Sequence, residues 1–174
     1  MKKRTETILS FLNVLAWIAF IGLAIKAGAL LTAFFISLFN PVAAGDLYQG
    51  LDLSMIRNFS LWHYCLVVSL MVAIFALEAY IAFQVTRILS RIKISHPFTP
   101  EVAETMEATS YTIIGTWFVG LAANSYYHWL DKRVPGFSYE KFPNEFIFLA
   151  GVIFVFAQVF KKGVELQAEN DLTV

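Results

Sequence analysis

Four apolar stretches separated by polar segments form the pattern of the chain. The first lies within residues 8–39 and is interrupted by a single charged residue, Lys26. The hydrocarbon core of a bilayer takes about 20 apolar residues as a helix. The fourth stretch is short, but Phe142, Lys161 and Lys162 can extend it because long side chains reach the membrane surface. We therefore predict four transmembrane helices at about residues 10–34, 61–86, 110–130 and 144–162.

The polar segments carry signals that end and start helices. Asn40, which precedes a proline, ends the first helix, and residues 41–60 and 131–144 are predicted as loops outside the membrane. Thr99 is a suitable N-cap. Pro100 fits the first helical turn, where its missing N–H would have no partner. A helix is therefore expected to begin there, ahead of the third span.

Composition agrees with a fold that lies mostly in lipid. The chain is 58% hydrophobic and 15% charged, whereas soluble domains are about 45–50% apolar and about 25% charged. So few charges cannot cover a surface that faces water. The predicted fold class is all-α: an integral membrane four-helix bundle with a short cytoplasmic helical extension between helices 2 and 3. Residues 1–174 form one domain, and residues 163–174 form its cytoplasmic tail.

Lysine and arginine set the expected orientation, because they favour the cytoplasmic side of a membrane. With the N-terminus inside, the inner segments hold eight of these residues and the outer loops hold four, with Lys26 left in a span. The inner residues are Lys2, Lys3, Arg4, Arg87, Arg91, Lys93, Lys161 and Lys162, and the outer ones are Arg57, Lys132, Arg133 and Lys141. We predict that both termini are cytoplasmic and that residues near Gly45 and Gly136 are outside.

Cysteine, histidine and net charge exclude several kinds of function. Cys65 is the only cysteine, which excludes an intramolecular disulfide and a quinone-coupled disulfide-forming enzyme. His63, Cys65 and His128 fall near the outer surface, but no spacing supports a zinc site. The formal net charge of zero gives no attraction to nucleic acid. We expect no enzymatic activity, no cofactor, no metal and no direct nucleic-acid binding. The sequence does not decide whether the protein forms a homo-oligomer.

Glu78 is the first candidate for function, since an ionisable group inside a span is costly unless it is neutralised or partnered. Polar and small residues recur every four positions on one face of the third span: Thr112, Thr116, Gly120, Asn124 and His128. Thr112 and Thr116 lie at about the depth of Glu78, so we expect its burial against one of them. The carboxyl is either structural, bonded to these hydroxyls, or a site for protons or transport.

Lys26 is the second intramembrane candidate. If the first span begins near Ser10, the Lys26 side chain lies toward the outer leaflet and reaches its surface. If the span begins later, Lys26 lies near the midplane and needs a partner. Asn124 is a candidate partner by depth, and Glu78 is not expected to be one.

The inner loop offers a candidate surface for a partner. Arg87 and Arg91 share a face at the end of the second span, and Phe98 can fold back as a local apolar anchor. Acids recur every three residues ahead of the third span: Glu101, Glu104 and Glu107. The segment is either a solvated charged hairpin, in which each pair contributes little, or an acidic face presented to a partner.

The tail is polar with spaced apolar residues. Gly163 ends or bends the fourth helix, or the tail continues the helix and rests Val164 and Leu166 on neighbours. Leu172 and Val174 flank Thr173 in a short extended pattern. They suggest docking on the inner loop near Phe98, or strand addition to a partner.

Two segments resemble a known family. They are the inner-loop string His96-Pro97-Phe98-Thr99-Pro100-Glu101 and the tail from Phe160 to Val174. The chain resembles the bacterial membrane family known as domain of unknown function 2975, whose pattern is a Pro-Phe-Thr element, an aromatic-basic-glycine helix end and a closing Asp/Glu-Leu-Thr-Val. The resemblance is expected to cover essentially the whole chain. Members often carry an acid near Gln158, where this chain has an amide.

The resemblance implies a multi-pass protein of the bacterial inner membrane. It also implies a neighbouring gene for a small helix-turn-helix DNA-binding protein. The expected function is therefore a non-enzymatic membrane protein that binds a cytoplasmic partner and sequesters such a regulator. The alternative is a small transporter or proton-coupled channel that uses Glu78.

Overall fold

Helices account for all the regular secondary structure that the described residues contain. The computed structural model describes residues 2–92 and 98–171, with side chains at 4–92 and 98–169. A 3-10 helix covers Pro41–Gly45, and five α-helices are present: α1 Lys2–Phe39, α2 Ser54–Phe59, α3 Leu61–Arg91, α4 Pro100–Asp131 and α5 Phe146–Asp171. The all-α prediction is therefore confirmed for this part of the chain.

Three helices are long and apolar enough to cross a membrane. They are Arg4–Phe39, Leu61–Arg91 and Phe146–Glu169, and they indicate a membrane protein. Large apolar side chains such as Phe11 and Ile18 are 62% and 61% exposed, as expected of surfaces that face lipid. α4 is not among the three, because the stretch that follows its three glutamates is itself interrupted by polar residues such as Ser110, Thr112 and Asn124. A fourth span within α4 stays a prediction.

Two predicted helix boundaries are confirmed, and each rests on a local hydrogen bond. α1 ends at Phe39, and the Asn40 side chain then accepts a hydrogen bond from the N–H of Val42 at 3.2 Å. α4 begins at Pro100, and Thr99 Oγ1 accepts from the N–H of Val102 at 3.4 Å. These caps satisfy backbone donors that a helix N-terminus leaves without partners.

α5 continues through Gly163 to Asp171, so the alternative in which the tail extends the helix is the correct one. Lys162 and Glu165 form an i,i+3 ion pair of 2.6 Å across this region. Val164 is partly buried, whereas Leu166 is 50% exposed, contrary to the expectation that it rests on neighbours. Leu172 and Val174 lie outside the described residues.

Residues 41–60 contain two short helices rather than an irregular loop. At the start of α2, Asp52 accepts a hydrogen bond from the N–H of Ser54 at 2.8 Å. The Ser54 hydroxyl, and after it this N–H, hold the pKa of the Asp52 carboxyl below its usual value. Ala44, Leu53 and Ile56 are almost completely buried. The short helices form because their apolar side chains find a core, which a polar loop composition does not predict.

Contacts divide the chain into two compact units. The terminal unit comprises Met1–Phe20, Ala79–Gly115 and Glu145–Val174, and the loop unit comprises Ile21–Glu78 and Thr116–Asn144. The core of the terminal unit includes Val102, Ile113 and Ala157, and that of the loop unit includes Leu30, Ile56, Tyr64 and Leu130. The intramembrane candidates Lys26, Glu78, Thr116 and Asn124 lie in the loop unit, whereas Thr112 lies in the terminal unit together with the described candidates of the inner loop.

Candidate functional site

A cavity of about 520 Å³ lies within the loop unit. Three helices line it with residues Lys26, Leu30, Met71, Ile74, Phe75, Glu78, Asn124 and Tyr127, and the loops add Tyr48, Gln49, Leu51 and residues 138–143. Its volume falls in the range of about 300–1,000 Å³ that is typical of small-molecule sites. Mostly apolar walls with a few converging charges are also typical of such sites.

Lys26 and Glu78 both line this cavity and both are partly buried. The ammonium of Lys26 lies 4.0 Å from the centroid of the Phe75 ring, a favourable cation–π distance. No ion pair of the described residues joins Lys26 to Glu78, although the Glu78 carboxylate experiences the charges of Lys26 and Glu140. Depth estimates from the sequence separate Lys26 from Glu78, whereas the structure places both at one cavity.

Asn124 holds a wall of the cavity in place. Its Nδ2 donates to the carbonyl of Phe142 at 2.9 Å, and its Oδ1 accepts from the N–H of Phe142 at 2.9 Å. Both ends of the amide are therefore used by one residue of the segment that follows α4. Asn124 acts as a backbone clamp on this segment rather than as a direct partner of Lys26.

The Phe142 ring packs against Gly120. The Phe142 ring lies against the backbone of α4, and a methyl group at Gly120 would overlap it. Phe142 is 8% exposed. Gly120 and Asn124 lie one helical turn apart, so one face of α4 fixes both the ring and the backbone of Phe142.

Aromatic residues support the same region of the loop unit. The Tyr127 hydroxyl donates to the carbonyl of Val67 at 3.2 Å, and the Tyr127 ring packs against Tyr139 with centroids 5.5 Å apart. His63 Nδ1 shares a hydrogen bond with the Tyr126 hydroxyl. His63 and Tyr126 are thus engaged with each other. Within the described residues, no group of three His, Cys, Asp or Glu side chains is placed to hold a metal ion.

The two threonines predicted to face Glu78 belong to different units. Thr116 is fully buried in the loop unit. Thr112 lies in the terminal unit, where its hydroxyl donates to the carbonyl of Ala108 at 2.9 Å. A contact of Glu78 with either hydroxyl stays a prediction.

The second group of candidate residues forms contacts within the terminal unit. Arg91 Nη1 and Glu101 Oε1 are 2.7 Å apart, joining α3 to α4. Lys161 Nζ and Glu107 Oε2 are 2.7 Å apart, joining α5 to α4. The bond from Lys161 holds the pKa of the Glu107 carboxyl below its usual value, and Gln158 lowers it further by donating to Glu107 Oε1 at 3.2 Å.

Phe98 packs on α5 in the same unit. Its ring lies 5.2 Å from that of Phe160, centroid to centroid. It also lies against the backbone of Gly163, where a methyl group would overlap it. The interpretation of Phe98 as an apolar anchor agrees with this contact. Arg87 and Glu104 remain exposed.

Sequence reasoning missed several residues of these sites. Glu140 and Lys141 line the cavity, but as ordinary loop charges they give no signal in the sequence. Gln84 is 4% exposed in the terminal unit, and its Oε1 accepts no hydrogen bond from the described residues. A polar residue in an apolar run is the signal that identifies Glu78, and it applies equally to Gln84.

Comparison with known proteins gives one match. The family model described as Protein of unknown function (DUF2975) matches residues 57–174. The matched region includes α3, α4, α5 and the contacts of Phe98 and Phe142, and it leaves out Lys26 and the rest of α1. No curated protein and no solved structure matches the chain.

Proposed function

The chain belongs to the family described as Protein of unknown function (DUF2975), and we propose that it is a non-enzymatic membrane protein that binds a cytoplasmic partner. In this proposal the fold is a four-helix bundle with α4 as the fourth span and both termini in the cytoplasm of a bacterium. The partner is a small helix-turn-helix regulator, sequestered at the membrane. The exposed charges on the helix ends of the terminal unit carry the proposal.

Two helices extend further than membrane anchoring requires. α4 begins at Pro100, about ten residues before the apolar stretch at Ser110, and α5 continues about nine residues beyond Lys162. A helix rises about 1.5 Å per residue, so each extension is roughly 15 Å long. Extensions of this length need a role outside the bilayer, and binding a partner supplies one.

The contacts within the terminal unit favour binding because they fix the extensions before a partner arrives. Arg91 joins α3 to Glu101, and Lys161 joins α5 to Glu107. Phe98, which precedes α4 by two residues, packs on Gly163 of α5. A preorganised surface loses less conformational entropy on binding than a mobile one.

The exposed side chains of these extensions include four glutamates, of which Glu101 pairs with Arg91 and Glu165 with Lys162. The acidic surface of this proposal comprises Glu101 and Glu104 on α4 and Glu165, Leu166 and Glu169 on α5. The three α5 residues share one helix face by their spacing. DNA-binding domains carry clustered Lys and Arg where they contact phosphates. The acidic surface is complementary to such a cluster, and its occupation would block DNA binding.

Photo-crosslinking tests this proposal in living cells. A photoreactive amino acid at Glu104 or at Leu166 should give an adduct with a basic DNA-binding protein. The same probe at Lys132, an exposed residue of the loop unit, is the matched control and should give none. The captured protein, once purified, should lose DNA binding in the presence of the solubilised chain. The Glu101→Lys/Glu104→Lys variant should restore that binding.

A second candidate function is transport or proton conduction through Glu78. The observation that favours it is the position of Glu78 at a cavity of about 520 Å³. Purified protein in proteoliposomes should then support a proton flux. The Glu78→Gln variant should abolish this flux while its expression stays normal. A flux that is equal in both proteins would reject this candidate and leave the partner proposal unaffected.

A further inference from the structure

We propose that the cavity of the loop unit binds a zwitterion, with its anionic group at Lys26 and its cationic group at Glu78. This inference concerns a ligand of the cavity and does not depend on the cytoplasmic partner. The apolar part of the ligand would lie against Leu30, Ile74 and Phe75, which share the lining with the two charges. Both an amino acid and the headgroup of an aminophospholipid have this chemistry.

The two opposite charges of Lys26 and Glu78 line one cavity and are not ion-paired with each other. Both lie in helices that are apolar enough to span a membrane, where an isolated charge is costly. A purely structural pair would be expected to touch, because direct contact offsets part of the desolvation cost. Instead, Lys26 faces the Phe75 ring, and no ion pair of the described residues joins Lys26 to Glu78.

Asn124 also lines the cavity but is used differently. Its Nδ2 and its Oδ1 each bond the backbone of Phe142, so this polar group builds the wall of the cavity. The structure therefore satisfies the neutral polar group internally and leaves the charged groups facing the cavity. Such a division is expected of a binding site, where the ligand supplies the missing partners.

The charges around the cavity are balanced. The charged lining residues are Lys26, Glu78, Glu140 and Lys141, two of each sign. A ligand with net charge would leave one sign unmatched. A ligand with one group of each sign can be complemented at both ends, and complementarity of this kind favours a specific orientation.

The inference is tested first on the unmodified protein, which removes any question of misfolding. The chain is placed in phosphatidylglycerol nanodiscs, whose lipid has no cationic group, and titrated with L-leucine by calorimetry. Saturable binding is expected. Leucinamide lacks the anionic group and N-acetyl-leucine lacks the cationic group, so each should bind about tenfold more weakly, since a charge-assisted bond contributes about 1.5–3 kcal/mol. Equal binding of all three compounds would overturn the inference.

A second arm distinguishes a free ligand from a lipid headgroup. In nanodiscs that contain phosphatidylethanolamine, a headgroup ligand should occupy the cavity, raise the melting temperature and abolish leucine binding. A free ligand should bind equally in both lipids. Absence of leucine binding together with absence of stabilisation by phosphatidylethanolamine would overturn the inference.

Variants then assign the site. Lys26→Met and Glu78→Gln should each weaken the binding by about tenfold or more, and Lys26→Arg should retain it. Lys132→Met removes an exposed charge of the loop unit that does not line the cavity and should have no effect. Unchanged binding in folded Lys26→Met and Glu78→Gln proteins would place the ligand elsewhere and overturn the inference.

Discussion

Each unit holds a phenylalanine ring against a helical glycine, but the two contacts are built differently. In the loop unit, Phe142 lies on Gly120 and its backbone is also bonded to Asn124. In the terminal unit, Phe98 lies on Gly163 and remains partly exposed. The loop unit therefore uses a buried, neutral clamp, whereas the terminal unit uses a more exposed contact flanked by ion pairs.

The charged residues of the two units also differ in whether they are paired. In the terminal unit, Glu101 and Glu107 each pair with a basic residue of another helix. These pairs are partly exposed and screened by water, so each positions two helix ends while contributing little to stability. In the loop unit, Lys26 and Glu78 are partly buried and unpaired with each other. Unpaired charges at a cavity are therefore the stronger sign of a ligand, and paired charges at helix ends are the stronger sign of a fixed surface.

Membrane topology should give the largest effect, because labelling is all-or-none. In a Cys65→Ala background, Lys132→Cys should react with an impermeant thiol reagent in intact cells, since the loop following α4 is predicted to lie outside. Ala168→Cys should react only after the cells are opened. Both residues are exposed, and Lys132 avoids Gly136, whose φ of +86° disfavours a side chain.

The reverse labelling pattern would contradict the orientation predicted from lysine and arginine. It would also remove the basis of the cytoplasmic partner, since the acidic surface would then lie outside. The cavity proposal would survive, because it depends on contacts within the loop unit alone.

Gly120 and Gly163 each contact a phenylalanine ring, and substituting them should destabilise the protein by different amounts. Gly120→Ala should lower the free energy of unfolding by about 1–3 kcal/mol, because the new methyl group overlaps a ring that cannot easily move. Gly163→Ala should cost less, because the partly exposed Phe98 can turn away. Unfolding of the purified proteins in detergent measures both.

Gly115→Ala is the matched control on the same helix as Gly120. A methyl group there meets no other atom within 4 Å, so the variant should be neutral or more stable by up to about 1 kcal/mol through helix propensity. In the Gly120→Ala/Phe142→Ala double variant, the overlap is gone and the two costs should not add. If the losses in free energy of unfolding were additive, the Phe142 ring would not lie against Gly120.

Asn124→Leu should be the next largest change. It removes the two hydrogen bonds between the Asn124 side chain and the backbone of Phe142, which is expected to cost about 2 kcal/mol. Ser125→Ala is the control, because that exposed hydroxyl bonds only the carbonyl of Leu121 one turn earlier. Thermal unfolding and deuterium exchange of residues 138–143 should both respond to the first variant and not to the second. Unchanged exchange would argue against the clamp.

Local signals made part of this structure predictable. Asn40 before a proline and Thr99 before a proline mark helix boundaries through bonds within a few residues. The sequence does not decide whether α5 continues through Gly163, because Phe98 packs on this glycine from a distant part of the chain. Glycine ends a helix only when nothing favours its continuation.

The shared cavity of Lys26 and Glu78 was not predictable for a related reason. Depth within a span depends on where each helix enters the membrane and how it tilts, which neighbouring helices decide. The sequence identifies both residues as costly intramembrane charges, but it does not show which face of either helix is directed toward the cavity. Glu140 and Lys141 reach the cavity through a segment positioned by Asn124, a contact that no local pattern reveals.

Acidification should produce the smallest effect, and Glu107 should supply part of it, because a titratable bond joins α4 to α5 in the terminal unit. Lys161 holds the pKa of Glu107 below its ordinary value of 4.5, so the pair stabilises the fold above that value. The stabilisation is lost as the pH falls through the lowered pKa. The Asn124 clamp of the loop unit has no titratable group.

Melting temperature in detergent, followed from about pH 6 down to about pH 3.5, should therefore fall more steeply for wild type than for Glu107→Gln. Lys161→Met should also flatten the dependence, and Lys162→Met should not, since Lys162 pairs with Glu165 instead. Equal slopes in wild type and Glu107→Gln would mean that this pair contributes nothing to the stability of the terminal unit.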